Sequence, residues 1–155
     1  MQRVVPVVDD VRVYLVGDYE QVMLACNGDN LLKQVGQRLL AIVPADDTVA
    51  RFGGDEFVVM LGELDAERAI SLTQAEAVAE KIRTRLSGAY CLQVEQEGRA
   101  ASRVEHHCTA SIGVVVFLDH EANPDDILVC ADKAMYQAKA AGRNAIRFYV
   151  ADGGA

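Results

Sequence analysis

The sequence lacks the features by which several classes of protein are recognised. Its four cysteines, Cys26, Cys91, Cys108 and Cys130, show no CxxC spacing, so they indicate neither a zinc site nor a disulfide framework. Isolated cysteines of this kind are usually small core residues and favour a reducing, cytoplasmic compartment. No apolar run reaches transmembrane length, no signal peptide is visible, and there is no internal repeat or low-complexity segment.

Basic residues are outnumbered by acidic ones. The chain has 15 lysines and arginines against 23 aspartates and glutamates, which gives a formal net charge of -8. This balance argues against nucleic-acid partners and against direct membrane contact, because both require basic patches. With 155 residues, 51% of them hydrophobic, the chain is expected to form one domain over residues 1–150, followed by a frayed tail at 151–155.

Two adjacent glycines, Gly53 and Gly54, separate apolar, β-type runs at residues 48–52 and 57–61. This pattern predicts a tight hairpin whose glycines can adopt positive φ and leave room for another molecule to contact the backbone. Asp55 and Glu56 follow directly. Carboxylates beside an open turn suit a divalent metal that carries a polyphosphate, although the same residues are also typical of an ordinary surface turn with solvated acids.

Three segments follow one another along the chain: RFGGDEF at residues 51–57, TASIG at 109–113, and ADKAMYQAKAAGRN at 131–144. In this order they resemble the GGDEF family, the diguanylate cyclases, and the third is similar to the family's AD-x-AMY-x-AK-x-x-GRN segment. The likeness covers about residues 4–150 and weakens toward the N-terminus, where the family's helical D-x-L-T-G-L-x-N-R segment is missing.

The irregular alternation of strands and helices predicts an α/β fold of the α+β sandwich type with a mixed, largely antiparallel sheet. The resemblance implies a five-stranded sheet flanked by helices, as in nucleotide cyclases and polymerase palms, with the glycine hairpin beside the first strand. We expect that strand at residues 4–8, ending at Asp9. A long helix is expected at 66–86 and a strand region at 104–117, and the cations of that helix, Lys81, Arg83 and Arg85, are expected to be solvated.

The resemblance implies that the hairpin forms part of a GTP site. Asp55 and Glu56 would be catalytic, Gly53 and Gly54 would contact the substrate, and Asp9 and Asp55 would converge on one or two Mg²⁺ (or Mn²⁺) ions. When Asp9 is aligned with the family's metal-binding aspartate, the asparagine whose amide reads guanine in the family is replaced by Gly17. An alternative register places the first metal position near Val16, which would remove that ligand altogether.

Three other positions are assigned by the resemblance. Asp29 matches a guanine-reading residue, although an aspartate there is also a natural helix N-cap. Lys139 and Arg143 match a clamp for the terminal phosphates, although cations at a helix C-terminus also complement the helix dipole. Where many family members carry an inhibitory R-x-x-D site, Pro44 replaces the arginine and Asp47 retains the acid, so we expect no product inhibition of the usual form.

The resemblance implies an Mg-dependent diguanylate cyclase that condenses two GTP molecules across a head-to-tail pair of domains. Such a domain would be a cytoplasmic signalling module, fused to a sensory or signalling domain. The loss of family residues near Gly17 favours an alternative, a catalytically inactive domain that binds GTP or a protein partner. A third possibility, a receptor for the cyclic dinucleotide, is disfavoured by Pro44.

Overall fold

A computed structural model describes residues 9–17, 28–53, 56–62, 64–65, 67–95, 97–118 and 123–150. Three helices and seven strands lie within these ranges. The helices are α1 (Gly28–Ile42), α2 (Arg68–Leu86) and α3 (Pro124–Ala140). The strands are β1 (Asp9–Gly17), β2 (Thr48–Gly53), β3 (Glu56–Leu61), β4 (Tyr90–Val94), β5 (Ser102–His106), β6 (Ala110–Leu118) and β7 (Ile146–Phe148).

The main sheet has the strand order β2-β3-β1-β6-β7. The first four strands pair antiparallel, and the β6–β7 pair is parallel. The predicted α+β class is therefore confirmed. The single strand region predicted over 104–117 is wrong, because β5 pairs with β4 in a separate two-stranded ribbon while β6 enters the main sheet.

Helices cover both faces of the main sheet. Alternation along β3 buries Phe57, Val59 and Leu61 against the face covered by α1 and α2, while Val58 packs on the opposite face with residues of α3. The core on the α1–α2 side includes Leu31, Leu39, Ala79, Ile82, Ile112 and Val114. The smaller core under α3 contains Val115, Ile127, Ala131 and Met135.

Gly113 permits the close approach of α3 to the sheet. A Cβ atom at this position would lie 2.1 Å from the carbonyl oxygen of Ala131 and 2.4 Å from the backbone nitrogen of Met135. Both atoms belong to backbone, which cannot move aside as the end of a flexible side chain can. The glycine of the TASIG segment therefore sets the distance between β6 and the helix that carries Lys139.

The beginning of α3 carries the residues that are typical of a helix N-terminus. Asn123 lies in an extended conformation at the N-cap, and its side-chain oxygen accepts a hydrogen bond of 2.9 Å from the backbone N–H of Asp125. Pro124 occupies the first turn, where its missing N–H costs nothing. Within the described part of the chain, none of the helices combines the length and the apolarity that a membrane span requires.

The first strand differs from the prediction. Residues 4–8 lie outside the described residues, and the strand that pairs with β3 and β6 begins at Asp9 and continues to Gly17. Asp9 is thus at the start of the central strand, opposite Leu118 of β6. This shift of the strand along the sequence decides which of its residues meets the glycine hairpin.

Candidate functional site

The glycine hairpin is formed by the end of β2 and the start of β3. Gly53 and Glu56 are direct partners, and the register shifts between Arg51 and Gly53 in the manner of a β-bulge. The loop positions Gly54 and Asp55 lie outside the described residues, so their predicted roles stay predictions. The antiparallel pairing of β2 with β3 confirms the predicted hairpin.

Glu56 lies on the face of the sheet that α3 covers. Its side chain is half-buried, and Val58, two residues further along β3, packs with the α3-side core. The neighbouring Phe57 points to the opposite face and is buried against the α1–α2 core. The Glu56 carboxylate is therefore available at the hairpin end of the sheet, on the same face as the helix that ends with the predicted phosphate clamp.

The strand register places Asp9 at the wrong end of β1 for a site at the hairpin. Val16 is the partner of Glu56, whereas Asp9 is seven residues earlier in the strand. At the rise of an extended strand, seven residues span roughly 23 Å. The prediction that Asp9 converges with the hairpin carboxylates on a metal is therefore wrong.

The hairpin end of β1 carries Val16 and Gly17, as in the alternative register considered from the sequence. Neither residue offers a carboxylate, and across β1 the paired positions on β6 are Ser111 and Ala110. Among the described residues, no group of three histidine, cysteine, aspartate or glutamate side chains could hold a metal ion. Glu56 is the carboxylate that the described hairpin residues contribute, so a divalent cation fits here only if Asp55 joins it.

The segment that follows α3 reaches the same end of the sheet. Lys139 is half-buried in the last turn of α3, and the backbone N–H of Ile112 donates to the carbonyl oxygen of Ala145 at 2.9 Å. Ile112 is close to Ala110, the partner of Gly17. The connection between α3 and β7, which contains Arg143, is thereby held beside the hairpin end of β1 and β6.

The connection after α3 has an uncommon backbone conformation. Gly142, Arg143 and Asn144 have φ values of 110°, 63° and 47°. Glycine and, to a lesser degree, asparagine tolerate this left-handed region, but arginine rarely adopts it. The backbone N–H of Arg143 donates to the carbonyl oxygen of Ala138 at 3.1 Å, so the turn is closed back onto the end of the helix and presents Arg143 at the surface.

Arg83 of α2 contacts this turn, which the sequence did not predict. Its Nη1 atom donates to Oδ1 of Asn144 at 2.9 Å, and its Nε and Nη2 atoms donate to the Glu80 carboxylate at 2.8 and 2.5 Å. Hydrogen bonding from Arg83 lowers the pKa of the Glu80 carboxyl group. The prediction of a solvated Arg83 is wrong, because this side chain links two elements that are far apart in sequence.

Two further predicted positions have different outcomes. Asp29 is the second residue of α1, but its side chain is not among those described, so its role in reading guanine stays a prediction. Asp47 has a defined partner, since its Oδ1 atom accepts a hydrogen bond of 2.9 Å from the backbone N–H of Gly62. The acid that remains beside Pro44 therefore joins the β2 side of the hairpin to the end of β3.

A family model and similar relatives point to the same family. The family model described as "Diguanylate cyclase, GGDEF domain" matches residues 26–145. Over 122 residues, 79% of this chain, the sequence is 37% identical to the bifunctional diguanylate cyclase/cyclic di-GMP phosphodiesterase MucR of Pseudomonas aeruginosa, of which it covers 16%. Over 119 residues, 77% of the chain, it is 37% identical to the response regulator PleD of Caulobacter vibrioides, of which it covers 24%.

A solved structure gives the corresponding likeness of fold. The GGDEF domain of YfiN (TpbB) from Pseudomonas aeruginosa superposes with a TM-score of 0.75 at 26% identity, over 94% of this chain and 84% of that one. The chain thus matches nearly the whole of an isolated domain, but spans between a sixth and a quarter of the length of the two relatives named above.

Proposed function

Because the chain belongs to the GGDEF family of diguanylate cyclase domains, we propose that it condenses two molecules of GTP into cyclic di-GMP and pyrophosphate. One observation carries the proposal. Glu56 lies at the glycine hairpin, on the face of the sheet that α3 covers, and the turn that follows α3 and presents Arg143 is held at the same end of the sheet. Acidic and basic groups placed in this way are the two components that a metal-bound triphosphate requires.

The hairpin would receive the reacting part of the nucleotide. Gly53 and Gly54 would allow the phosphates to approach the backbone closely, and Asp55 and Glu56 would be the catalytic carboxylates. A divalent cation, Mg²⁺ or Mn²⁺, held by these two carboxylates would neutralise phosphate charge and acidify the attacking 3′-hydroxyl group. Asp29, at the beginning of α1, would contact the guanine base.

Lys139 and Arg143 would bind the terminal phosphates. Lys139 is in the last turn of α3 and Arg143 is in the turn that follows it. Guanidinium and ammonium groups form short, charge-assisted hydrogen bonds with phosphate oxygens. The protein has an overall charge of -8, which repels a nucleoside triphosphate. Local cations are therefore needed for binding as well as for holding the pyrophosphate leaving group.

Condensation of two nucleotides requires two sites that face each other. We propose that two copies of the domain meet head to tail, so that each 3′-hydroxyl group attacks the α-phosphate held by the other copy. We also propose that the fold of each copy belongs to the nucleotide-cyclase and polymerase-palm group. In the cell the domain would be a cytoplasmic module joined to a sensory or signalling domain, as the names of the multidomain relatives MucR and PleD suggest.

The residues at the hairpin end of β1 favour a second candidate function. Val16 and Gly17 occupy the positions paired with Glu56 and Ala110, and they provide neither a carboxylate nor an amide side chain. A domain without these groups could bind GTP or a protein partner and regulate an attached enzyme without turnover. This candidate predicts GTP binding without the release of pyrophosphate.

A direct assay separates the two candidates. The protein is incubated with GTP and Mg²⁺ at several protein concentrations, and cyclic di-GMP is measured by chromatography. A cyclase that works as paired domains gives product, and its specific activity rises with protein concentration. The absence of product at the highest concentration, together with retained GTP binding measured by calorimetry, would replace the cyclase with the regulatory domain.

A further inference from the structure

The side chain of Arg83 connects helix α2 to the turn that carries Arg143. It donates one hydrogen bond to Asn144, 61 residues away in sequence, and two to Glu80, one helical turn earlier in α2. The Arg83 side chain is 25% exposed, whereas that of Glu80 is 52% exposed. Arg83 is therefore oriented by Glu80 on one side and contacts the turn with its remaining terminal nitrogen.

The turn itself needs such a contact. Arg143 and Asn144 both have positive φ, which is unfavourable for residues with a Cβ atom, and such conformations persist only where the surroundings hold them. The backbone bond from Arg143 to Ala138 fixes the beginning of the turn, and the bond from Ile112 to Ala145 fixes its end. The bond from Arg83 to the Asn144 side chain holds the residue between these two points.

We propose that Arg83 is a positioning residue for Arg143, and that it fixes the direction in which Arg143 meets the terminal phosphates of the nucleotide. The inference rests on the proposed function, in which Arg143 binds those phosphates. The planar fork of a guanidinium group is required, because it bonds the Glu80 carboxylate through two nitrogens and still has a third nitrogen for Asn144. A lysine at position 83 has one nitrogen and cannot hold both partners in this geometry.

The test compares the binding of two nucleotides. Guanosine 5′-[α,β-methylene]triphosphate has all three phosphates but cannot transfer its nucleotidyl group, and GMP lacks the phosphates that Arg143 would contact. Affinities for both are measured by calorimetry with Mg²⁺ for the wild type, Arg83→Met, Arg83→Lys and Arg143→Met. Arg85→Met is the matched control, because it removes an exposed cation from the same helix two residues away.

Arg83→Met is expected to weaken triphosphate binding about tenfold, the effect of a misplaced charge-assisted hydrogen bond, and to change GMP binding less than about twofold. Arg83→Lys is expected to behave as Arg83→Met does, and Arg85→Met as the wild type. In an Arg143→Met background, Arg83→Met should cause no further loss, because the residue that it positions is absent. If Arg83→Met fails to fold, Asn144→Gly removes the other partner of the Arg83–Asn144 hydrogen bond. Glycine tolerates the positive φ of this position, so the turn itself is kept.

The possible failures can be told apart. If Arg143→Met weakens triphosphate binding but Arg83→Met and Asn144→Gly do not, the positioning role is wrong and the proposed function stands. If Arg83→Met weakens the binding of GMP and of the triphosphate equally, or still has its full effect in the Arg143→Met background, Arg83 supports the fold in general and the positioning role is also wrong. If the wild type binds neither nucleotide, the proposed function is wrong and the inference falls with it.

Discussion

Strand β1 and the segment from residue 26 onward differ in how much of the family pattern they keep. β1 is the central strand, hydrogen-bonded to β3 on one side and β6 on the other, yet it lies outside the matched residues 26–145. The matched segment contains the glycine hairpin and the turn after α3. The central strand thus keeps its place in the sheet, while its hairpin end carries Val16 and Gly17 in the positions nearest the site.

This difference has a physical cause. A strand enters a sheet through its backbone hydrogen bonds and an apolar sequence, and many sequences satisfy both requirements. A metal or base site needs one particular side chain at one particular register position. A segment can therefore lose its chemistry and remain the centre of the fold, which is why the matched segment and β1 should respond differently to substitution.

The largest expected difference is between two aspartates. Asp55→Ala should lower the rate of cyclic di-GMP formation about a thousandfold, as expected when a group that stabilises transition-state charge is removed. Asp9→Ala should leave the rate within about twofold of the wild type, because Asp9 is at the far end of β1, roughly 23 Å along the strand from the partner of Glu56. Both rates are measured at saturating GTP and Mg²⁺.

The outcome of this pair separates the two strand registers. A severe loss in Asp9→Ala, with a folded protein by circular dichroism, would mean that β1 is displaced along β3 and that Asp9 does meet the hairpin. An unchanged rate in Asp55→Ala would remove the hairpin carboxylate from the site and would undermine the cyclase proposal itself.

These two aspartates also show what could be predicted from the sequence. The hairpin, the helix start at Asn123 and the long α2 follow from local signals, namely adjacent glycines, a capping side chain before a proline, and helical spacing of apolar residues. The position of Asp9 depends on how β1 aligns with β3 and β6. Register is a property of two strands together, and the local pattern of one strand does not contain it.

The same reason explains two other differences between prediction and structure. The strand region over 104–117 is divided between two sheets, and this division depends on the pairing of β5 with β4 and of β6 with β1. Arg83 was expected to be solvated, but it bonds Asn144, which is 61 residues away in sequence. Contacts at such separations become visible only when the elements are packed.

The next effect concerns stability at the junction of α3 and the sheet. Gly113→Ala should lower the free energy of unfolding by about 3 kcal/mol, because the added methyl group meets the backbone of Ala131 and Met135 at 2.1 to 2.4 Å. Gly36→Ala is the matched control. Its methyl group would lie 4.0 Å from the Phe57 ring, and alanine favours a helix, so the protein should become about 0.5–1 kcal/mol more stable.

Chemical denaturation of both variants measures these changes, and the binding of a non-reacting GTP analogue extends the comparison. Gly113→Ala should also weaken triphosphate binding, since it displaces the helix that ends with Lys139, whereas Gly36→Ala should not. If the two variants are equally stable, the helix is not seated on β6 as described, and the site at the end of α3 would have to be placed anew.

A smaller effect, tighter binding of Mg²⁺, is expected when a carboxylate is placed at the hairpin end of β1. Directly paired residues share a face of the sheet, so an aspartate in Val16→Asp is expected beside Glu56. Repulsion between the two carboxylates should lower the melting temperature without metal, and Mg²⁺ should bind roughly tenfold more tightly than to the wild type. Val16→Asn is the control for shape. Equal Mg²⁺-induced shifts in melting temperature for all three proteins would mean that position 16 does not face the metal site.

The smallest expected effect is in the matched segment, at Asp47. This residue is the acid that remains of the family's inhibitory R-x-x-D site, in which Pro44 replaces the arginine. Asp47→Ala removes the acceptor for the Gly62 backbone N–H and should cost about 1 kcal/mol in the free energy of unfolding. Asp47→Asn keeps an oxygen acceptor and should cost less. Since Pro44 offers no guanidinium group, added cyclic di-GMP should neither inhibit the wild type nor raise its melting temperature. Inhibition that disappears in Asp47→Ala would show that this acid binds the product although Pro44 has replaced the arginine, and the loss of family function would then be confined to β1.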